Sequence, residues 1–530
     1  MPGESTKGST KGTGADEAAG NAASWFIDRH GREGRGERIA FIDPWRRLTY
    51  AGLQAEAARF AAALAMAGIR REQRIALILR DSCAFPVAFW GALWAGIVPV
   101  PLNTLLPPPL LAALLADCRA GLVLVSAPLY PALAPALAAL AAPPLVVIVE
   151  EGADKAPAGL QSLADFLAGA APAPMVAASP DEVAFWLYSS GSTSTPKGTK
   201  HVHASLRATY ETYGRQVLGI APDDLMFSAA KLFFAYGLGN AMTFPMAVGA
   251  TTVLLPERPT PEQVFAVLSA HQPSIFGGVP TLYAAMLAHP GLTPGAGSPR
   301  LRRAISAGEP LPERIGREWR QRVGVDILDG IGSTEMLHIF LSNRPDDIRH
   351  GTTGRAVPGY DLKLLDEQDH ELSGVAEGEL LVRGASAADG YWNQRDKSRR
   401  TFAGEWTRTG DTYARDAEGY YHYRGRADDM MKVSGIWVSP FEVEAALVEH
   451  PAILEAAVVG HEDADGLIKP RAFVVLREGA TASPDLVAAL RTLVKERAGP
   501  WKYPRWIEIV PELPKTATGK IQRFKLRDLA

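Results

Sequence analysis

The stretch RIALILRDSCAFPVAFWGALWA, Arg74–Ala95, decides the fold class. Arg74–Leu79 carries five aliphatic residues in a row, so a strand here is buried on both faces. Val87–Ala95 holds only apolar residues and glycine and reads as a buried helix. A doubly buried strand followed by a helix is the repeating unit of a parallel sheet.

Working outward, the same alternation recurs. Leu53–Ala67 reads as a helix ending at Gly68, and Leu122–Ser126 and Leu145–Val149 read as strands. Ala250–Leu255, Pro261–Ala270 and Ser274–Gly277 repeat strand, helix, strand. The expectation is an α/β protein with parallel sheets between helices. The texture changes near Gly378. Glu379–Arg383, Tyr420–Tyr423 and Ala472–Leu476 read as short strands between tight turns. RGRADDMMKVSG, Arg424–Gly435, reads as charged and irregular. Beyond it, helices at Pro440–Val448 and Pro484–Arg497 and strands at Ala456–Gly460 and Arg471–Leu476 make a compact α+β unit of ordinary domain size. The expected division is a tail over 1–23, a large domain over 24–427 and a small domain over 428–530. The tail reading rests on STKGSTKGTG, Ser5–Gly14, which is polar, repetitive and without the apolar core of a secretory signal.

Ser82–Ala116 and Ala120–Val149 carry no charge. Prolines interrupt both, and the longest uninterrupted piece, Val87–Val98, is too short to cross about 30 Å of hydrocarbon. The chain has 55 basic and 58 acidic residues, a net charge of −3, which offers no basic field to nucleic acid. Cys83 and Cys118 are the only cysteines, too few for a disulfide framework or a cysteine metal site. No nucleic-acid or membrane partner is expected, and a cytoplasmic location is.

Five short stretches carry chemistry. YSSGSTSTPKG, Tyr188–Gly198, follows an apolar strand, Val183–Tyr188. It is not a Walker A loop, which needs Gly before the Lys and Ser or Thr after it. Its hydroxyls, backbone N–H groups and Lys197 still suit phosphate oxygens. In LDGIGSTEM, Leu328–Met336, a carboxylate beside hydroxyls suits Mg²⁺ when phosphates complete the shell. TRTGD, Thr407–Asp411, ends in an Asp able to accept from a ribose diol. Arg426 and Lys520, in RGRADDMMKVSG and LPKTATGK, add two cations. Each alone is matched by an ordinary alternative: a loop, a helix-end carboxylate, a turn Asp, a solvated charge cluster, a tail lysine. HVH, His201 and His203, lacks a visible third metal ligand.

Together and in this order, the five stretches resemble the adenylate-forming superfamily of acyl- and aryl-CoA synthetases, from about Trp25 to the C-terminus. KLFFAYGLGN, Lys231–Asn240, and GIGSTEMLHIFLSN, Gly330–Asn343, resemble benzoate–CoA ligases in particular. The resemblance implies ATP, Mg²⁺ and coenzyme A, with a mobile C-terminal lid. It implies that Ser189, Ser190, Gly191, Ser192, Thr193 and Lys197 close over the β- and γ-phosphates. Ser194 stands where the family usually has Gly. Thr334 and Glu335 match the phosphate-contacting hydroxyl and the Mg²⁺ carboxylate. Ser306 to Pro310, including Gly308, Glu309 and Pro310, with Asp329, Gly330 and Ile331, match the adenine walls. Asp411 and Arg426 match the ribose contacts, and Asp428 the hinge. Lys520 matches the lysine of the first half-reaction, and Lys432 and Gly435 match the thiol passage of the second.

The aromatic acid is expected among Phe234, Ala235, Tyr236, Gly237, Gly277, Gly278, Gly308, Ile331, Gly332, Leu337 and His338. There glycines leave room for a flat ring and apolar side chains meet its faces. Lys231 is open between a carboxylate contact and the surface, and His338 between a ring substituent and a structural role. The implied activity is conversion of benzoate, 2-aminobenzoate or a hydroxybenzoate to its adenylate and then its CoA thioester. A free-standing adenylating enzyme serving a separate carrier protein is the alternative, since the chain runs only ten residues past Lys520. A luciferase-like oxygenase and a non-catalytic binding protein are weaker readings, and a homodimer is compatible with all of them.

Overall fold

Two mainly parallel sheets organise the large N-terminal unit of the computed structural model. It describes residues 20–189, 196–426, 429–433, 436–463, 467–499, 501–515 and 521–529. The first sheet has five strands, all parallel, in the order Val98–Pro101, Arg74–Ile78, Leu122–Ser126, Leu145–Val149, Gln161–Ser162. Ile75 to Ile78 and all of Leu122–Ser126 are buried, as a strand covered on both faces requires.

The helix Ala84–Trp94 packs beside Tyr50–Met66, and every one of its residues is buried. Pro86 falls in its first turn, where a missing N–H costs nothing. Asp43 reaches its start and accepts from the Cys83 backbone N–H at 2.8 Å. Of the charge-free stretches, residues 82–94, 122–127 and 147–149 are therefore core, whereas Leu105 and Leu145 are exposed. The second stretch also contains a helix, Tyr130–Ala138, that its prolines conceal in the sequence. No helix of the described residues is long and apolar enough to cross a membrane.

The second sheet has nine strands. Its centre is six parallel strands: Ile39–Ile42, Thr251–Val253, Leu225–Ser228, Ile275–Gly278, Arg303–Ser306 and Ile327–Gly332. Ligands of such sheets bind outside the carboxyl ends of the strands. Here those ends are Ser228, Gly278, Ser306 and Gly332, and the motifs follow directly after them. Arg47–Thr49, Ile339–Ser342 and Arg355–Ala356 continue the sheet antiparallel.

An antiparallel β-rich subdomain follows, built on Asp361–Leu365, Ala376–Arg383, Trp406–Arg415 and Tyr421–Arg426. The small C-terminal unit is α+β. Ile453–Glu462 pairs antiparallel with Ile468–Leu476, which pairs parallel with Trp506–Ile509. The helices Pro440–Val448 and Pro484–Arg497 join it through Val443, Leu447, Val458, Val474, Leu490 and Val494. The segment expected to be irregular includes a strand, Met431–Val433, that pairs with Ile436–Val438 beyond it. Strands of three residues are too short to show a period, yet Met431, Val433 and Val438 are buried in the small unit's core.

Candidate active site

The turn after Ile327–Gly332 carries Ser333, Thr334 and Glu335. It is tightly built. Met336 N donates to Ser333 Oγ at 3.1 Å, and Leu337 N to the Thr334 carbonyl at 3.2 Å. Leu337 is buried and takes φ of +65°, a region L-residues avoid unless the surroundings force it. His201 reaches across from Lys197–Val202, the strand that leaves the phosphate loop, and its Nε2 lies 2.8 Å from the Thr334 carbonyl. Burial pushes His201 down to about 4, so it is neutral at physiological pH and donates from Nε2.

Glu335 is held at two points. Its carbonyl accepts from Ala388 N at 2.8 Å, and its Oε1 accepts from the Tyr391 hydroxyl at 2.7 Å. The Lys197 ammonium lies 5.0 Å from the Tyr391 ring centroid. Burial lowers the Lys197 ammonium below the usual lysine range, Glu335 pulls it back up, and Lys397 adds to the lowering. One carboxylate beside hydroxyls fits Mg²⁺, which binds through one or two carboxylates plus substrate phosphates and keeps waters. No cluster of three His, Cys, Asp or Glu occurs among the described residues, so a dedicated protein-only metal cage is not built there.

Ser306 and Asp329 are register partners at the carboxyl ends of neighbouring parallel strands. Both are buried, and Ser306 Oγ and Asp329 Oδ1 have no hydrogen-bond partner among the described residues. Burial raises the Asp329 carboxyl well above the carboxylate range, against hydrogen bonds from the Leu311 and Gly330 backbones. Two orphaned polar atoms side by side fit a ligand edge bearing donors and acceptors. Gly308, Glu309 and Pro310 follow Ser306 directly, and Gly308 is exposed with φ of +97°.

Asp411 and Arg426 also pair by register, on the antiparallel strands Trp406–Arg415 and Tyr421–Arg426. Arg426 Nη1 donates to the Thr409 carbonyl at 2.9 Å and to Asp411 Oδ1 at 3.3 Å. Gly410 lies between them at φ of +70°. A Cβ there would stand 2.7 Å from Arg426 Nη2, so only glycine lets the guanidinium lie over this turn.

The aryl-acid candidates cluster around Tyr236 and His338. The Tyr236 hydroxyl donates to the Gly278 and Ile305 carbonyls at 3.2 and 3.1 Å, which joins it to two strand ends. His338 is buried among Tyr213, Tyr236 and Phe244, with ring centroids 5.1, 5.8 and 4.6 Å away. Both its ring nitrogens lack partners among the described residues, and burial pushes it down to about 3. Phe234 and Ala235 are half-buried at the start of this segment, and Ile331 and Gly332 end the strand opposite. The glycines do not simply leave a slot. A Cβ at Gly237 would lie 2.0 Å from the Lys231 carbonyl, one at Gly332 2.5 Å from the His338 carbonyl, and one at Gly278 2.8 Å from the Tyr283 ring. The chain itself fills those directions.

Lys231 is partly buried. Its ammonium donates to the Leu255 carbonyl and, at 2.6 Å, to the Glu257 carbonyl. His203 Nδ1 accepts from Ala22 N at 3.1 Å, so the HVH pair divides between two structural tasks. Of the phosphate loop, Ser189 and Lys197 are described, and Ser189 Oγ is buried without a partner among the described residues. Ser190, Gly191, Ser192, Thr193 and Ser194 lie outside the described residues, as do Asp428, Gly435 and Lys520, and the Lys432 side chain. Sequence reasoning missed Tyr391 and the contact of His201 with Thr334.

A parallel sheet whose carboxyl edge gathers these turns, followed by a small α+β unit, defines a nucleotide-using enzyme. The chain belongs to the AMP-binding enzyme family. Residues 28–392 match that family, and residues 442–520 match the AMP-binding enzyme C-terminal domain. Within it, the chain is 53% identical over 514 residues to 4-hydroxybenzoate–CoA/benzoate–CoA ligase of Rhodopseudomonas palustris, covering 96% of this chain and 94% of that one. The crystal structure of a benzoate CoA ligase from Burkholderia xenovorans LB400 superposes with a TM-score of 0.89 at 49% identity, covering 96% of this chain and 99% of that chain. The anthranilate CoA ligase AuaEII, solved with anthranoyl-AMP, gives a TM-score of 0.90 at 40% identity, covering 96% and 97%.

Proposed function

We propose that the protein is an ATP-dependent, AMP-forming aryl–CoA ligase acting on benzoate or a benzoate with one small ring substituent. The observation that carries this reading is likeness over nearly the whole length to a ligase named for benzoate and 4-hydroxybenzoate. Likeness to a ligase solved with anthranoyl-AMP keeps 2-aminobenzoate among the candidates.

A carboxylate cannot give up an oxygen to a thiol directly, because the leaving group would be oxide-like. Its oxygen first attacks the ATP α-phosphorus. A P–O bond forms, and the bond to the bridging oxygen breaks, that oxygen leaving with its electron pair in pyrophosphate. The CoA sulfur, having lost its proton, then attacks the acyl carbon, and AMP leaves with the C–O bonding electrons. The acid is already ionised at neutral pH, so the first step needs no general base.

On this reading Ser189, Ser190, Gly191, Ser192, Thr193 and Lys197 hold the β- and γ-phosphates. Thr334 contacts phosphate, and Glu335 would hold Mg²⁺, which when bound supplies positive charge against the phosphoryl oxygens. Ser306 to Pro310 and Asp329 to Ile331 enclose adenine, and Asp411 and Arg426 hold the ribose. Phe234, Ala235, Tyr236, Gly237, Gly278, Ile331, Gly332, Leu337 and His338 surround the aryl group. Lys520 neutralises charge in the first step, and Lys432 and Gly435 line the thiol's approach in the second. The lid, residues 428–530, turns at Asp428, because the two steps need different neighbours around one phosphate. Cytoplasmic residence goes with the supply of ATP and CoA.

The test is pyrophosphate release and thioester formation across aromatic and aliphatic acids, with and without CoA. CoA-dependent thioester from benzoate or a small-substituent benzoate is expected. Aryl adenylate without thioester would replace the reading with a carrier-loading enzyme. Lys520→Ala should abolish adenylation while sparing thiolysis of supplied aryl-AMP, and equal loss of both would remove Lys520 from its role.

A further inference from the structure

We propose that Tyr391 is a positioning residue that orients the Glu335 carboxylate toward the metal and ties it to Lys197 of the phosphate loop. The inference rests on the assignment of Glu335 to Mg²⁺ given above.

Tyr391 is 5% exposed and is fixed from several sides. With Gly390 it forms a two-residue strand that pairs with the strand leaving the phosphate loop, Tyr391 opposite Thr199 and Gly390 opposite Lys200. Its N–H donates to Ser398 Oγ at 3.0 Å, and its ring meets Phe402 at 5.3 Å. The next residue, Trp392, donates from its backbone to the Gly198 carbonyl at 2.7 Å. The phenol is thus mounted on the phosphate-loop strand, while its hydroxyl ends on Glu335 in another turn.

A glutamate side chain held only by its backbone can rotate and offer either oxygen. A donor on Oε1 stops that rotation and leaves Oε2 as the outward oxygen. Oε2 takes no hydrogen bond among the described residues. Outer partners of this kind orient metal ligands and commonly alter metal affinity by about 10- to 100-fold. The ring face meanwhile receives Lys197, an attraction that survives loss of the hydroxyl. One side chain therefore registers the cation of the phosphate loop against the carboxylate of the STE turn, two groups that must reach the same metal–nucleotide.

Tyr391→Phe removes the hydroxyl and keeps the ring. Binding of ATP to the full-length protein is measured calorimetrically across a Mg²⁺ series, beside thiolysis of supplied aryl-AMP. The variant should need about 10-fold more Mg²⁺ for half-maximal ATP binding, with thiolysis and the aryl-acid KM unchanged. Glu335→Gln should shift the Mg²⁺ series too, and adding Tyr391→Phe to it should shift it no further. If Glu335→Gln shifts the series and Tyr391→Phe does not, the positioning role is refuted while the assignment of Glu335 stands. If neither shifts it, that assignment fails and the inference with it. Additive shifts, or equal loss of thiolysis in Tyr391→Phe, would likewise overturn it. Circular dichroism and melting of the Phe variant identify a fold-wide defect, which also counts against a local role.

Discussion

Asp329 is the sharpest test of the nucleotide site. Its carboxyl is 6% exposed, sits beside Ser306 at the sheet's carboxyl edge, and carries an Oδ1 without a partner among the described residues. Burial holds it well above the carboxylate range. A protonated carboxyl offers one donor and one acceptor, the same pair as an amide, and so does the edge of adenine: an amino group and a ring nitrogen. A purine ring without that amino group keeps the nitrogen and loses the donor. The native protein should therefore prefer ATP to purine riboside triphosphate. A buried polar atom left unpaired costs about 1–3 kcal/mol, which sets the preference at roughly 5- to 150-fold in kcat/KM. Asp329→Ala should lower the ATP rate constant toward that for the purine analogue, leaving a preference of about 2-fold or less by the same accounting. Asp329→Asn keeps a donor and an acceptor and should retain most of it. The assay is pyrophosphate release with each nucleotide at saturating aryl acid. An alanine variant that keeps the full preference would refute the assignment, as would an asparagine variant that loses it.

Three further outcomes follow from the geometry. His30, His201 and His203 are pushed by burial to about 4 and His338 to about 3, whereas Asp81 is raised to about 6 and Asp329 higher than its normal range. The histidines stabilise the fold above pH 6.5 and lose that contribution as pH falls, while the two carboxyls act oppositely. Near pH 5.5, these six groups should together take up about two net protons on unfolding, a loss of roughly 3 kcal/mol per pH unit. A pH-stat measurement of guanidinium unfolding at pH 5.5 checks it, and zero uptake or net release would contradict it. Gly410→Ala should cost on the order of 1–2 kcal/mol in backbone strain, displace Arg426 from Asp411 and raise the ATP KM several-fold. An unchanged KM would take that pair out of the ribose site. His201→Phe keeps the stack on Phe185, 5.1 Å away, but removes the donor to Thr334. Adenylation should slow by about 5-fold, from the roughly 1 kcal/mol of one hydrogen bond, and thiolysis of supplied aryl-AMP should not change. Equal slowing of both would show that His201 supports the fold in general.

What was legible in the sequence had a period or a composition that one segment carries alone. Leu122–Ser126 is aliphatic through Val125 and is buried throughout, so its place in a parallel sheet needs no partner to be inferred. Pro440–Val448 and Pro484–Arg497 begin at proline after serine caps, and their bounds agree with the chain's own punctuation. The hairpin at Met431–Val433 and the helix Tyr130–Ala138 were hidden for the converse reason: one is too short for a period, and the other is dense in proline. The site divides the same way. Hydroxyls, glycines and carboxylates mark the turns that meet ligands, because the chemistry needs those residue types. Tyr391 and His201 leave no such mark. Their contacts join residues 56 and 133 positions apart, and an aromatic or a histidine in a buried strand reads as core. Gly237 and Gly332 are ambiguous in a third way, since a glycine that makes room for a ligand and one that makes room for the chain look identical until the neighbours are in place. Functional turns are therefore written locally, whereas the groups that aim them exist only as pairs created by the fold.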